Sequence, residues 1–206
     1  MSDELVFYTH PMSRGRIVRW MLEEVGRPYR TERLDYGTSM KQAEFLAVNP
    51  MGKVPAIKHG DVVVTEAGAI CAYLADAFPQ AGLAPPLGDK ARGPYFRWMF
   101  FAAGPMASLI IDKSMGIVVP EKRRTTAGWG GHDEVLNALE SAVAGHEYLT
   151  GDRFTAADVW FGASLDWGMR FTAIETRPAF QAYVARINSR PAAVRAREID
   201  DALLAG

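Results

Sequence analysis

"EFLAVNPMGKVPAIKHGDVVVTEAGAICAYLADAFP", residues 44–79, decides the fold, because its hydrophobic period switches from helix to strand and back within one short span. It opens as a helical run that stops at Asn49-Pro50, since a residue preceding proline is pushed out of the helical region. Two β-rich runs follow, "VPAIK" and "DVVVTE", flanking His59-Gly60 as a two-residue hairpin turn. It closes as a helix in which Ile70, Leu74 and Phe78 recur at i, i+4 and i+8 on one face. Pro55 stands where the first strand begins. It has no N–H for a sheet ladder, which confines it to an edge, a strand start or a bulge. Two readings stand on these residues alone. One is a tight turn entering a hairpin; the other is a cis Val54-Pro55 bond that turns the N–H and C=O of Val54 outward, toward an extended, peptide-like ligand.

Upstream, "ELVFYT" reads as a strand and "SRGRIVRWMLEEVG" as a helix, with Ile17, Val18, Met21, Leu22 and Val25 on one face and Gly26 closing the end. "PYRTERLD" reads as a second strand with Tyr29, Thr31 and Arg33 on one side. Ser39 and Gln42 have capping-box spacing at the start of the next helix. The order β-α-β-α-β-β-α implies a small mixed sheet covered by helices, an α/β domain over residues 1–80. The Pro/Gly-rich stretch that follows predicts a linker over residues 81–89. Residues 90–206 read as an all-helical domain. Pro94 falls near a helix start there, and Pro105 should kink or end that helix. Val135, Leu136, Leu139, Val143 and His146 share one side of a later helix, Thr155 and Asp158 form an N-cap pair, and Pro191 separates two final helices.

Lysine and arginine number 23 against 24 aspartates and glutamates, a balance that argues against nucleic acid or an anionic membrane as partner. No apolar run reaches the ~18–20 residues that span a bilayer. "MSDELVFY" lacks a basic start and an apolar signal core. A single cysteine, Cys71, leaves no intrachain disulfide, and a cytoplasmic setting is expected. His10, His59, His132 and His146 show none of the close spacings of zinc hydrolases, so no metal is expected.

The β-α-β-α-β-β-α unit, the linker and the helical domain together resemble the glutathione transferase family, along the whole chain and in the right order. Residues 44–79 resemble the family's glutathione-site segment, and "FTAADVWFGASLDW" resembles its buried capping-box helix in the second domain. The resemblance implies a thioredoxin-like first domain, glutathione as co-substrate, a cis Val54-Pro55 bond facing the ligand, and a homodimer. The chain looks like a bacterial-type member of the serine-using classes. Three activities follow from it: conjugation of the glutathione thiolate to an apolar electrophile, a glutathione-dependent isomerase or lyase reaction, and a non-catalytic module built on this fold.

The resemblance also implies roles for particular residues. The backbone of Val54 would pair with the cysteine of glutathione. Glu66 and Ala67, where a strand becomes a helix, would receive the γ-glutamyl end, Glu66 at its α-amino group and the helix N–H groups at its carboxylate. Ala67 departs from the pattern, since many members carry a serine or threonine hydroxyl there. Lys53 is the candidate for the glycine carboxylate. The thiol, with a free pKa of ~8.5, must be ionised to act as a nucleophile. Its hydroxyl donor is sought in "YTHPMSRGR": Ser13 first, whose plain alternative is an N-cap serine, then Thr9, with Tyr8 out of step. Arg14, Arg16 and Arg19 read as an anion-binding cluster or as structural contacts. Trp98, Phe101, Met106 and Ile110 read as the wall of an electrophile pocket facing Ser13, or as core. Cys71 reads as packed and inert.

Overall fold

The computed structural model describes residues 4–205, so the first three residues of "MSDELVFY" lie outside the described residues. It contains a sheet of four strands in the order β2-β1-β3-β4. These are β1 (Leu5–Thr9), β2 (Arg30–Arg33), β3 (Ala56–His59) and β4 (Val62–Thr65). β1 runs parallel to β2 and antiparallel to β3, which is antiparallel to β4. The parallel pair needs a crossover, which α1 (Gly15–Val25) supplies. Because His59 pairs with Val62, the two-residue turn is Gly60-Asp61, one position later than the sequence spacing indicated. Gly60 takes the positive φ of 58° that this turn requires.

Alternation along the strands divides the sheet between two cores. Phe7 and Ile57 are cross-strand partners and fully buried. On that side the apolar face of α1 packs on α3 (Ala67–Ala77), which contributes Ile70, Cys71 and Leu74, all fully buried. Tyr8 and Ala56 belong to the other face, packed with Met40 and with Phe45 of α2 (Ala43–Leu46). The Ser39–Gln42 capping box does not form. Ser39–Lys41 is a separate 3₁₀ turn, and the Ser39 hydroxyl instead accepts the N–H of Asp35 at 2.7 Å.

The chain forms two compact units, residues 4–83 with 189–205, and residues 84–188. This differs from the expected 90–206 helical domain at its C-terminal end. The last helix, α9 (Pro191–Ala205), packs on α1 within the first unit. Paired charges join the two helices. Arg19 on α1 is 2% exposed and meets the 1% exposed Asp200 on α9 at 3.2 Å, while Arg16 meets Asp201 at 2.6 Å. Arg190 adds a two-pronged contact to Glu24, at 2.7 and 2.8 Å.

The other unit is helical: α4 (Arg92–Phe101), α5 (Ala107–Met115), α6 (His132–Val143), α7 (Ala156–Arg170) and α8 (Pro178–Asn188). Pro105 does not end the helical run. It sits in a π-helical turn, Ala102–Met106, which absorbs its missing N–H between α4 and α5. Trp160 donates its indole N–H to the Met99 carbonyl just ahead of that turn, at 3.2 Å. At the head of α7, Thr155 and Asp158 form the expected capping box, fully buried. Asp158 also accepts the N–H of Leu149 at 2.9 Å and the hydroxyl of Tyr183 at 2.8 Å. Burial pushes its carboxyl above the usual aspartate range, against the opposing pull of these bonds. His146 lies beyond the end of α6 and is exposed, so it does not extend the apolar face predicted for that helix.

Candidate active site

Register determines which residues meet in the first unit. Tyr8 pairs with Ala56, and Ala56 with Thr65, so one row crosses β1, β3 and β4. Just beyond this row lie the turn leaving β1 with Thr9 to Ser13, the entry to β3 with Val54-Pro55, and the exit of β4 with Glu66-Ala67. β2 ends level with Thr9, paired to Arg33, and sends Asp35 and Tyr36 to the same edge. α1 and α3 both start here, and their positive dipole ends, with the uncapped first turn of α3, favour anions at this edge.

The entry to β3 is held by side chains from outside the sheet. Asn49 donates from Nδ2 to the Lys53 carbonyl at 2.7 Å and accepts the Met51 N–H at 3.1 Å. Lys41 donates to the carbonyls of Met51 and Gly52 at 3.2 and 3.0 Å. Gly52 has φ 58°, and a Cβ there would stand 2.8 Å from the Met40 carbonyl oxygen, so glycine is required. The Val54-Pro55 bond is cis. Val54 is half-buried, and the side chain of Lys53 is exposed.

At the exit of β4, Glu66 has φ 66° and ψ 118°, a conformation sparsely populated by residues other than glycine. Its carbonyl accepts the Ile70 N–H at 2.8 Å, which starts α3 directly after the kink, and its side chain is exposed. No side chain caps α3 at its N-cap. Ala67, first residue of the helix, is 6% exposed.

The turn after β1 is tightly satisfied. The Ser13 hydroxyl donates to the His10 carbonyl at 2.6 Å and accepts the Gly15 N–H at 2.9 Å. His10 accepts the Met12 N–H at Nδ1, 3.1 Å, so the neutral ring carries its proton on Nε2, 3.8 Å from Asp35 Oδ1. Its ring packs on Tyr36 at 4.6 Å between centroids, and Tyr36 donates to the Met12 carbonyl at 3.3 Å. Thr9 is fully buried, and its hydroxyl has no hydrogen-bond partner among the described residues. It lies directly over Gly15, where a Cβ would collide with it.

Two arginines of the expected anion cluster have structural work instead. Arg16 also donates to the Pro11 carbonyl at 2.6 Å. Arg19 is surrounded by Asp200, Tyr29 and Thr31, with its guanidinium 4.9 Å above the Phe7 ring. Trp98 and Met106 are core residues of the second unit, 5% and 0% exposed, with Trp98 packed edge-on against Phe161. Cys71 is fully buried, and burial pushes its thiol far up, which makes it unreactive.

His10, Asp35, Tyr36, Asn49 and Lys41 escaped the sequence reading. An asparagine ahead of Pro-Met-Gly was a legible sign of a side-chain turn. The His10–Tyr36 pairing had no local signal, because the residues come from different strand ends.

The fold is a thioredoxin-like sheet followed by a helical unit, with two helix N-termini and a cis-proline at one sheet edge. The comparisons narrow it. The family model for the glutathione S-transferase N-terminal domain matches residues 4–76, and that for the C-terminal domain matches residues 100–191. Glutathione S-transferase 3 of Zea mays is 29% identical over 220 residues, covering 91% of this chain and 96% of that protein. A glutathione transferase structure from Methylococcus capsulatus is 30% identical, with a TM-score of 0.79 over 96% of this chain and 98% of the other. A sphingomonad glutathione S-transferase complexed with glutathione is 26% identical, with a TM-score of 0.77 over 95% of this chain and 98% of the other. The chain belongs to the glutathione transferase family.

Proposed function

We propose that this chain binds glutathione at the sheet edge and transfers its thiolate to an apolar electrophile. The observation that carries this reading is the row Tyr8–Ala56–Thr65, beyond which Val54, the start of α3 and the turn of Ser13 all gather. The N–H and C=O of Val54 are the groups for the cysteine backbone of the tripeptide, each bond contributing about 1 kcal/mol net. The uncapped first turn of α3, at Ala67, receives the γ-glutamyl carboxylate, and Glu66 pairs with the neighbouring amino group. Lys53 is the cation for the glycine carboxylate. With an aryl chloride, the thiol proton leaves to solvent and the thiolate sulfur attacks the ring carbon. The C–S bond forms as the C–Cl bond breaks, and chloride departs with the electron pair.

Ser13 is the proposed hydroxyl donor to the thiolate. Its proton points at the His10 carbonyl at 2.6 Å, so donation to sulfur requires it to swing away from that oxygen. That commitment is also the observation favouring a second reading, a glutathione-binding module without turnover. Retention on immobilised glutathione together with chloride release from chlorodinitrobenzene supports the transferase. Retention without turnover supports the isomerase or binding-module readings, and failure of both contradicts the assignment of this edge to glutathione. A homodimer is the proposed assembly. Sedimentation as a monomer at micromolar concentration overturns it.

A further inference from the structure

The helical unit holds a cavity of about 420 Å³ between the C-terminal turn of α5 and the segment leading into α6. Its volume suits one substituted ring rather than a large ligand. Its walls combine two kinds of surface. Leu109, Ile117, Val118 and Trp129 supply apolar area, with Ile117 50% and Val118 84% exposed. Lys113, Arg124 and His132 supply cationic or proton-bearing groups, with the carboxylate of Asp112 on the same wall. Lys113 and Arg124 have no side-chain hydrogen bond or ion pair among the described residues, whereas Arg16, Arg19 and Arg190 are ion-paired. Burial first, and then the charge of Lys113, lower the His132 pKa against the opposing pull of Asp133 and Asp112. The N-terminus of α6 is not the attraction, because the Glu134 carboxylate already lies against Gly131 there.

We propose that this cavity takes an aromatic carboxylate, its ring against Trp129 and Val118 and its anionic group toward Lys113 and Arg124. A neutral ligand leaves both cations unused. A carboxylate gains charge-assisted contacts with both.

The probes are chloronitrobenzoate and its methyl ester, which share one ring and differ in charge. Calorimetric titration of the full chain without glutathione should show the acid binding about fivefold or more tighter than the ester. Lys113→Met and Arg124→Gln, both at exposed positions that folding tolerates, should each erode that preference while leaving the ester's affinity unchanged. Added salt should erode it in the wild type. Equal affinities, no binding of either probe, or a preference that survives both substitutions overturns the proposal.

Discussion

The His10 carbonyl accepts both the hydroxyl of Ser13, at 2.6 Å, and its N–H, at 3.0 Å. One backbone oxygen thus fixes the residue at the start of α1, and the hydroxyl completes the turn by accepting the Gly15 N–H. Behind it the Thr9 hydroxyl is buried against the Gly15 backbone with no partner among the described residues.

Gly15→Ala should destabilise the protein by about 1–3 kcal/mol, because the new methyl runs into the Thr9 hydroxyl. Thr9→Ala removes that oxygen, so the double variant should be more stable than the sum of the two single losses implies. Urea denaturation of all four proteins gives the coupling. Additive losses contradict the contact.

Asp158→Ala should cost at least about 2 kcal/mol, since the buried N–H groups of Thr155 and Leu149 lose their acceptor. Turnover per folded molecule should stay near wild type. The pH dependence has a definite sign. Burial raises the folded-state pKa above the unfolded value, so the folded protein holds this proton more tightly. The group's contribution is therefore fully present below the ordinary aspartate pKa of about 3.9 and is lost as pH rises through the elevated folded value. Asp158→Asn should flatten that part of the stability curve, as measured by denaturation midpoints across mildly acidic pH. An unchanged slope contradicts the assignment.

Asp200→Ala leaves Arg19 as a buried charge without its counterion and should cost about 3–5 kcal/mol. Replacing both, as Arg19→Met with Asp200→Leu, should be less damaging than Asp200→Ala alone. If the double variant is the worse of the two, α9 is docked by something other than this pair.

Glu66→Gly and Glu66→Ala separate backbone from side chain. Glycine accepts the φ of 66° without steric penalty, so it should be more stable than the alanine variant by about 1 kcal/mol or more. Both should bind glutathione more weakly than wild type. Undiminished affinity removes the Glu66 side chain from the proposed site.

Elements with a strong local period were legible in the sequence. The α1 face of Ile17, Val18, Met21, Leu22 and Val25 is buried as read, and the Thr155–Asp158 box caps α7. What escaped depends on long-range pairing. The Arg19–Asp200 contact joins residues 181 positions apart, so nothing near either one marked α9 as part of the first unit. Ser39 had capping-box spacing, yet its hydroxyl was drawn to the Asp35 N–H, a local turn that competes with a helix cap. Trp98 and Met106 looked equally like a pocket wall or core, because burial on a helix depends on the packing of neighbours that spacing does not encode. At the sheet edge, the segments were legible but not their support: Lys41 and Asn49 hold Met51 to Lys53 through backbone carbonyls, which any sequence presents alike.

The central claim is that this chain binds glutathione and ionises its thiol beside the turn of Ser13. Titration of the thiolate's ultraviolet absorbance in the bound complex tests it most directly, in wild type, Ser13→Ala and Thr9→Ala. The wild-type complex should ionise about one to two units below the free thiol's ~8.5, and Ser13→Ala should reverse most of that shift while binding persists. A shift lost only in Thr9→Ala moves the role to Thr9, and one kept in both variants assigns it to backbone N–H groups at the start of α1. A bound thiol that ionises at the same pH as free glutathione in the wild type contradicts the account.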